Sequence, residues 1–458
     1  MWATSFKPGS LALVIIVTSF AGYAWSAETS ALSDEPVALQ VDTMPARPRL
    51  IAEIGDTFLG TGNISSGINL PTGAVWQPSF QAWGTFRTAV QAFDNTGDER
   101  VSEWANRLDL FGQLKLTPTE RVLISFRPLD DVGRFTGYNF SPAETRGGQS
   151  EFNADVETLF FEGDFGEIFP NLDKDDQKGL DIGFSVGRQP IFFQEGLLVN
   201  DSMDSVGITR NNIRWFSRAA NTRATFLYGW DNIHRADNIE DRSARLYGFF
   251  METDIPKSTI NFDLVYVDAD DNTGAGFYVG LSAVQRIGHL NTAFRVAFSE
   301  PLDGDTPQVS RGSIVFGEVS WTPAYSHDNI YVNFFWADGQ FSSAARGPAT
   351  GGPLGQTGIL FADVGLGRYG AALGNDAMDS VGAAVGWQTF SDDNRRQLVI
   401  ELGGRTDTGG SNRDAIAVGA RFQQAIGRRF VARIDGFVSS RQGFDEGWGA
   451  RFEWITKL

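Results

Sequence analysis

Cysteine is absent from all 458 residues, which excludes disulfides, thiolate metal sites, haem-attachment motifs and cysteine nucleophiles. Histidine is nearly absent, with only His234, His289 and His327. Long apolar runs are missing too. The longest, Leu11–Val17 with a weaker continuation through Phe20 and Ala21, falls short of the roughly 20 apolar residues a membrane helix needs. If this chain crosses a bilayer, it does so with strands. Cationic excess is also lacking: 38 Lys and Arg stand against 56 Asp and Glu, and a net charge of −18 argues against nucleic acid, whose phosphates would be repelled.

What is present is glycine, aromatics and a period of two. The chain holds 52 Gly, 37 Phe and 12 Trp yet is only 42% apolar, the composition of strands whose two faces meet different solvents. From Ser79, residues Phe80, Ala82, Gly84, Phe86, Thr88 and Val90 point one way while Gln81, Trp83, Thr85, Arg87 and Gln91 point the other. Units of about ten alternating residues then recur to Leu458, some eighteen in all. They include Leu108–Leu116, Ala224–Trp230, Ile260–Tyr266, Ile330–Trp336, Leu398–Leu402, Ile416–Phe422 and Trp448–Trp454. Short connections, as at 117–119, 255–258, 287–289, 391–394 and 425–428, alternate with longer ones at 94–102, 131–153, 191–202, 232–242, 268–274, 300–310, 339–378, 405–413 and 440–446. This asymmetry predicts an all-β fold: a transmembrane antiparallel β-barrel of about eighteen strands, with short periplasmic turns and long extracellular loops.

Three segments follow. Residues 1–26 read as a secretory signal peptide, with Lys7, the apolar run and small residues at Ala24-Trp25-Ser26. Residues 27–78 read as a periplasmic lead-in with one short strand near Leu50–Phe58, and 79–458 as the barrel. Trp104, Tyr228, Trp230, Trp321, Trp336, Trp387 and Trp454 lie near strand ends, where amphipathic rings suit the membrane boundary. The expected location is the outer membrane of a bacterium, with its lipid as one partner. The alternating C-terminal strand Phe452–Leu458 resembles the signal read by barrel-assembly machinery, a second partner, although Leu replaces the commoner Phe.

A family resemblance rests on this strand count, on the lack of a large N-terminal plug, and on Gly187-Arg188-Gln189 followed by Met203-Asp204-Ser205-Val206-Gly207-Ile208-Thr209-Arg210. These features resemble the alginate-export type of eighteen-stranded porin. That resemblance implies an arginine-lined channel for an acidic polysaccharide. The long Gly- and Pro-containing loop Arg346–Asp379 departs from it. Met-Asp-Ser-Val-Gly occurs at 203–207 and again at 378–382, which reads as a shared strand-entry turn in preference to a paired binding site.

Catalytic and cofactor motifs give little. Gly365–Gly370 matches G-x-G-x-x-G without a following helix pattern, and Asp268, Asp270 and Asn272 start an EF-hand spacing that Thr273 and Val279 break. No cofactor, metal site or enzymatic activity is expected. The inner face is more informative. Taking each strand's apolar set as lipid-facing, the opposite face presents Arg87, Arg107, Lys115, Arg121, Arg127, Arg223, Arg245, Arg295, Arg395, Arg421, Arg433 and Arg451, with fewer acids, chiefly Asp109, Asp181, Asp263, Glu401, Asp435 and Glu453. Arg87, Arg107, Arg127, Arg295, Arg421, Arg433 and Arg451 are the expected solute path, and all but Arg295 fall on strands adjacent across the barrel seam. Rings of cations favour anions in a narrow passage, although the same arginines could simply pair with luminal acids to stiffen the wall. Apolar patches in loop 339–378 predict that it folds into the mouth, with Ile359, Leu360, Phe361, Arg368 and Tyr369 as constriction candidates. The sequence thus reads as a passive channel for small polar, preferentially anionic solutes. The alternatives are a barrel sheathing an electron-transfer cytochrome or, less well supported, a barrel hydrolase.

Overall fold

The computed structural model describes residues 48–55, 66–94, 100–175, 177–214, 216–410, 414–443 and 446–458. The signal-peptide reading of 1–26 lies outside these residues. Eighteen strands form one closed antiparallel barrel: β1 Ser79–Asp94, β2 Val101–Lys115, β3 Arg121–Phe126, β4 Val156–Asp164, β5 Ile182–Phe193, β6 Val199–Arg210, β7 Asn221–Asp231, β8 Arg245–Ile255, β9 Ser258–Asp268, β10 Gly276–Ile287, β11 Leu290–Pro301, β12 Gly312–Trp321, β13 Asn329–Gln340, β14 Met378–Ser391, β15 Arg396–Asp407, β16 Ala415–Ile426, β17 Phe430–Arg441 and β18 Gly447–Lys457. Each pairs with its sequence neighbour, and β18 closes on β1 from Trp448↔Asp94 to Lys457↔Thr85. Closure leaves these strands no free edge along the seam, which is the condition for a sheet to cross hydrocarbon.

The outer wall carries the alternation's apolar set. Phe226 (61% exposed), Val438 (62%) and Leu402 (51%) are among many large apolar side chains turned outward, an arrangement that water penalises and a bilayer rewards. Tyr228, Tyr247 and Tyr266 form a row on adjacent strands, with ring centroids 5.2 and 6.0 Å apart. Ahead of the barrel, Ala52–Ile54 pairs with the first residues of β1, and Arg429 Nη2 donates to Arg49 O at 3.2 Å. Arg49 and Ala52–Ile54 of the lead-in are therefore held against the rim bearing the short turns.

Two strands are short. β3 has six residues and β4 nine, so the upper part of β2 pairs instead with a strand at Arg134–Ser141 from the long β3–β4 loop. At Gly187 in β5 the backbone takes φ +121°, and an added Cβ would lie 2.3 Å from Leu159 O, so only glycine fits. The next residue, Arg188, makes a two-pronged ion pair with its cross-strand partner Asp204, at 2.8 and 3.1 Å. The Gly-Arg-Gln and Met-Asp-Ser-Val-Gly segments thus meet as a wall joint. In the second Met-Asp-Ser-Val-Gly copy, Asp379 instead accepts a hydrogen bond from Gly339 N, so the two copies do different work.

Three expectations need correction. The β5–β6 connection is only residues 194–198, because the strands continue through Phe193 and from Val199. Arg245 shares its strand face with the exposed Tyr247, so it points outward, while Arg395 lies in the β14–β15 turn. Nor is every apolar strand residue lipid-facing. Ile314, Phe316, Phe335 and Phe437 are buried inside the barrel, because the connections at 194–198, 232–244 and 341–377 fold inward and pack against them and against Leu227, Leu246, Val265 and Val267.

Candidate functional site

The interior is built from one loop and two unlike walls. Loop 341–377 brings Leu354, Leu360, Phe361, Leu373 and Ala377 onto the inner faces of β11–β14, β16 and β17. Phe361 has no exposed surface and meets Phe335 edge-on at 5.5 Å. Its backbone is held as well: Glu401 on β15 accepts hydrogen bonds from Ile359 N (3.0 Å) and Leu360 N (2.9 Å), and Tyr331 also donates to it. Tyr369 is clasped between Phe93 and Phe437, at 5.5 and 5.6 Å. Arg368 reaches Glu103 at 2.8 Å and Asn139 at 3.2 Å, so it fastens the loop to β2 and the β3–β4 loop. The five constriction candidates therefore act as loop anchors rather than as free arms.

Arg346 was not among them. Its guanidinium, 3% exposed, donates to four main-chain carbonyls, of Gly196 (2.7 Å), Gly351 (2.6 Å), Thr350 (3.1 Å) and Gly352 (2.8 Å). Its own N–H donates to His234 O, and Ala345–Arg346 pairs in parallel with Val199–Asn200. One residue thus ties all three inward connections together. Burial drives its pKa down to about 10, which still leaves it charged at neutral pH. Its one sequence signal was being a lone cation in the acid-free stretch 340–362.

A second buried tie is the His234–Asp201 pair, at 2.9 Å. Burial alone would lower the His234 pKa, but the hydrogen bond and charge of Asp201 hold it above its ordinary 6.5. A raised histidine contributes stability that is complete below its ordinary pKa and is lost as pH rises through the elevated one. Tryptic nicking at Arg242 in this loop should therefore rise from about pH 6 to about pH 9 in the wild type, after correction for trypsin's own pH dependence. H234Q should be nicked readily at both; a flat wild-type profile would remove this tie.

The charged wall crosses the seam. On β16, β17 and β18 the cross-strand row reads Arg421, Asp435, Arg451 and continues to Gln91 and Glu103; the next row reads Gln423, Arg433, Glu453. Each carboxylate is shared. Asp435 pairs with Arg421 and with Arg451 (3.0 Å), Glu453 with Arg87 (2.5 Å), Arg433 (3.1 Å) and Arg451 (2.7 Å), and Asp109 with Arg107 (3.0 Å) and Arg127 (3.1 Å). Six guanidiniums thus share three carboxylates, with further negative charge from Asp130 and Glu157 at the Arg127 end, from Glu103 beside Gln91, and from Glu401 near Arg421. Arg451 has no exposed side-chain surface, so it stiffens the wall, whereas Arg87, Arg107, Arg421 and Arg433 keep between 16% and 24%. Arg295 stands apart on β11, paired with Glu318 and lying over Phe316 at 5.7 Å.

The opposite wall differs. A cavity of about 150 Å³ lies beneath residues 192–195, lined by Arg223, Phe250, Glu252, Asn261, Asp263 and Arg295. A wider cavity of about 930 Å³ opens toward the short turns, where Ser258, Thr259, Gln285, Asn291, Thr292 and Ser320 supply neutral polar groups beside Lys257, Arg286 and Glu318. The arrangement can pass hydrated solutes along a wall of partly satisfied cations, through an opening narrowed by the loops.

Comparison with solved structures shows the same architecture. The chain is similar to the outer membrane protein OpdK from Pseudomonas aeruginosa (11% identity, TM-score 0.54, covering 83% of this chain and 98% of that one). It is similar to a BenF-like porin from Pseudomonas fluorescens Pf-5 (11%, 0.55, 83% and 98%) and to OccAB4 from Acinetobacter baumannii (11%, 0.51, 85% and 100%). OpdK has also been solved with vanillate. No family model and no curated protein matches the sequence. These structural neighbours are Occ-type channels and not of the alginate-export type, so the narrower resemblance is not borne out. The chain shares with them a closed eighteen-stranded antiparallel barrel.

Proposed function

We propose that this protein is a bacterial outer-membrane channel through which small polar solutes diffuse passively, with anions favoured. The observation that carries this reading is the seam-spanning wall, where six arginines share three carboxylates inside a closed, apolar-girdled barrel. Incompletely neutralised guanidiniums lower the energy of an anion entering a narrow, partly low-dielectric passage. The likeness to OpdK, solved with vanillate, agrees with a small anionic solute rather than a polysaccharide. A cytochrome sheath would need an open bore, and loop 341–377 occupies this one with buried side chains. The C-terminal strand, closing the barrel against β1, is the segment we expect the assembly machinery to engage.

The test is R107Q/R421Q/R433Q, chosen because each carboxylate keeps a partner: Asp109 keeps Arg127, Asp435 keeps Arg451, and Glu453 keeps Arg87 and Arg451. In planar bilayers under a salt gradient the cation-to-anion permeability ratio should rise several-fold. An unchanged reversal potential would reduce the protein to a general porin.

A further inference from the structure

Resting on the channel reading above, we propose that the loop tip at 364–369 is a latch that a small oxyanion opens by taking the place of two main-chain carbonyls. Arg87 Nη2 donates to Val364 O at 3.0 Å, and Arg107 Nη1 donates to Gly365 O at 3.1 Å. Arg87 and Arg107 face each other directly across β1 and β2, so their guanidiniums stand side by side on the wall. Both spend donors on neutral acceptors. A carboxylate or phosphate oxygen adds its own negative charge to the attraction of the same donor, and its two or more oxygens can bridge adjacent guanidiniums in a forked geometry that a single carbonyl oxygen cannot reproduce. An arriving anion therefore displaces the carbonyls, and the tip gives way where the anion must pass.

The tip is built to give way. Gly365 and Gly367 take φ of +62° and +67°, and Gly358 and Gly374 bound the segment at +112° and +71°. Those left-handed conformations are open to glycine at little cost, so the segment has an articulation at each end and two within the tip. Its remaining attachments are all made to the adjoining wall and loop. Leu366 packs on Ala89, Ala105 and Phe135; Gln91 donates to Leu366 O at 3.3 Å; Glu103 and Asn139 hold Arg368; and Tyr369, between Phe93 and Phe437, is the pivot about which 364–368 swings. The body of the loop is fixed separately, by Glu401, Phe335 and Arg346, so the tip can move without the plug unfolding.

Because the native chain has no cysteine, an engineered bridge would be unambiguous. A Cβ placed on Gly367 lies 3.2 Å from Ala105 Cβ, close to the separation of about 3.5–4.5 Å that a disulfide spans; it also meets Gln91 Nε2 at 2.3 Å and Glu103 Oε1 at 2.4 Å, side-chain ends that must move aside, so the reduced double variant and not the wild type is the reference. In single-channel recordings of A105C/G367C at constant ionic strength, exchanging chloride for acetate should raise occupancy of the high-conductance level several-fold when the pair is reduced. Oxidation should abolish that response while leaving the reversal potential in place. Persistence of the acetate response in the bridged channel would overturn the latch, as would no response in a reduced channel that still prefers anions. Loss of anion preference itself would instead overturn the channel reading. R368Q, which needs no bridge, should raise conductance already in chloride and shrink the acetate response; wild-type behaviour in R368Q would also overturn the latch.

Discussion

Replacing residues 347–376 with a short Gly-Ser linker is expected to widen the channel, raising single-channel conductance several-fold and flattening discrimination among solutes. The excised segment carries Leu354, Leu360, Phe361 and Leu373, all at most 2% exposed, and no other described connection reaches the inner faces of β14 to β17 as it does. The gain in bore comes at a cost in stability. Each fully buried Leu or Phe contributes about 1.5–3 kcal/mol, and Ile314, Phe316, Phe335 and Phe437 would face water in the shortened protein. The heat-modifiable band on SDS gels should therefore persist but melt at a lower temperature. A folded variant with wild-type conductance would mean that the loop does not limit passage. R346Q should reproduce part of the effect, since the cage of Gly196, Gly351, Thr350 and Gly352 carbonyls would lose the donors that gather it.

Replacing Glu453 with Gln should cost more than replacing any single arginine of the wall. Its side chain has no exposed surface and lies against Arg87, Arg433 and Arg451, of which Arg451 is equally buried. Removing the shared charge leaves Arg87 and Arg433 without their carboxylate and Arg451 with Asp435 alone, which Arg421 already shares, and breaking a buried pair this way costs on the order of 3–5 kcal/mol. The expected result is a clear drop in the urea midpoint of the refolded barrel in lipid vesicles. R433Q, which leaves Glu453 two partners, should shift that midpoint much less. Equal shifts for the two variants would show that the wall does not share its charge as the distances indicate.

Much of the architecture was legible in the chain because a barrel wall separates two solvents residue by residue. Period-two alternation and the contrast between short turns such as 287–289 and long loops located the strands and their number. Parity also placed Arg87, Arg107, Arg421, Arg433 and Arg451 on one inward face, and β18 pairing with β1 made them neighbours. The rule failed where both faces are apolar. In Ile314-Val315-Phe316 and Phe334-Phe335-Trp336, alternation cannot say which residues meet lipid and which meet a folded-in loop. The loop's destination was hinted at by Ile359-Leu360-Phe361, but its moorings were not. Glu401 receives backbone N–H groups and Arg346 backbone carbonyls, and main-chain groups leave no mark in a sequence. The degree of pairing was equally hidden, since it depends on three carboxylates lying between arginines on different strands.

The sharing of Glu453 has a consequence for assembly. Strand β18, which closes the ring, holds the carboxylate that Arg87 of β1 and Arg433 of β17 both require. Until β18 docks, both guanidiniums lack their common counter-charge, so an unclosed wall is electrostatically frustrated at the place where it should seal. Docking of one strand and neutralisation of both its neighbours are thereby coupled: a single carboxylate serves as the keystone of the ring.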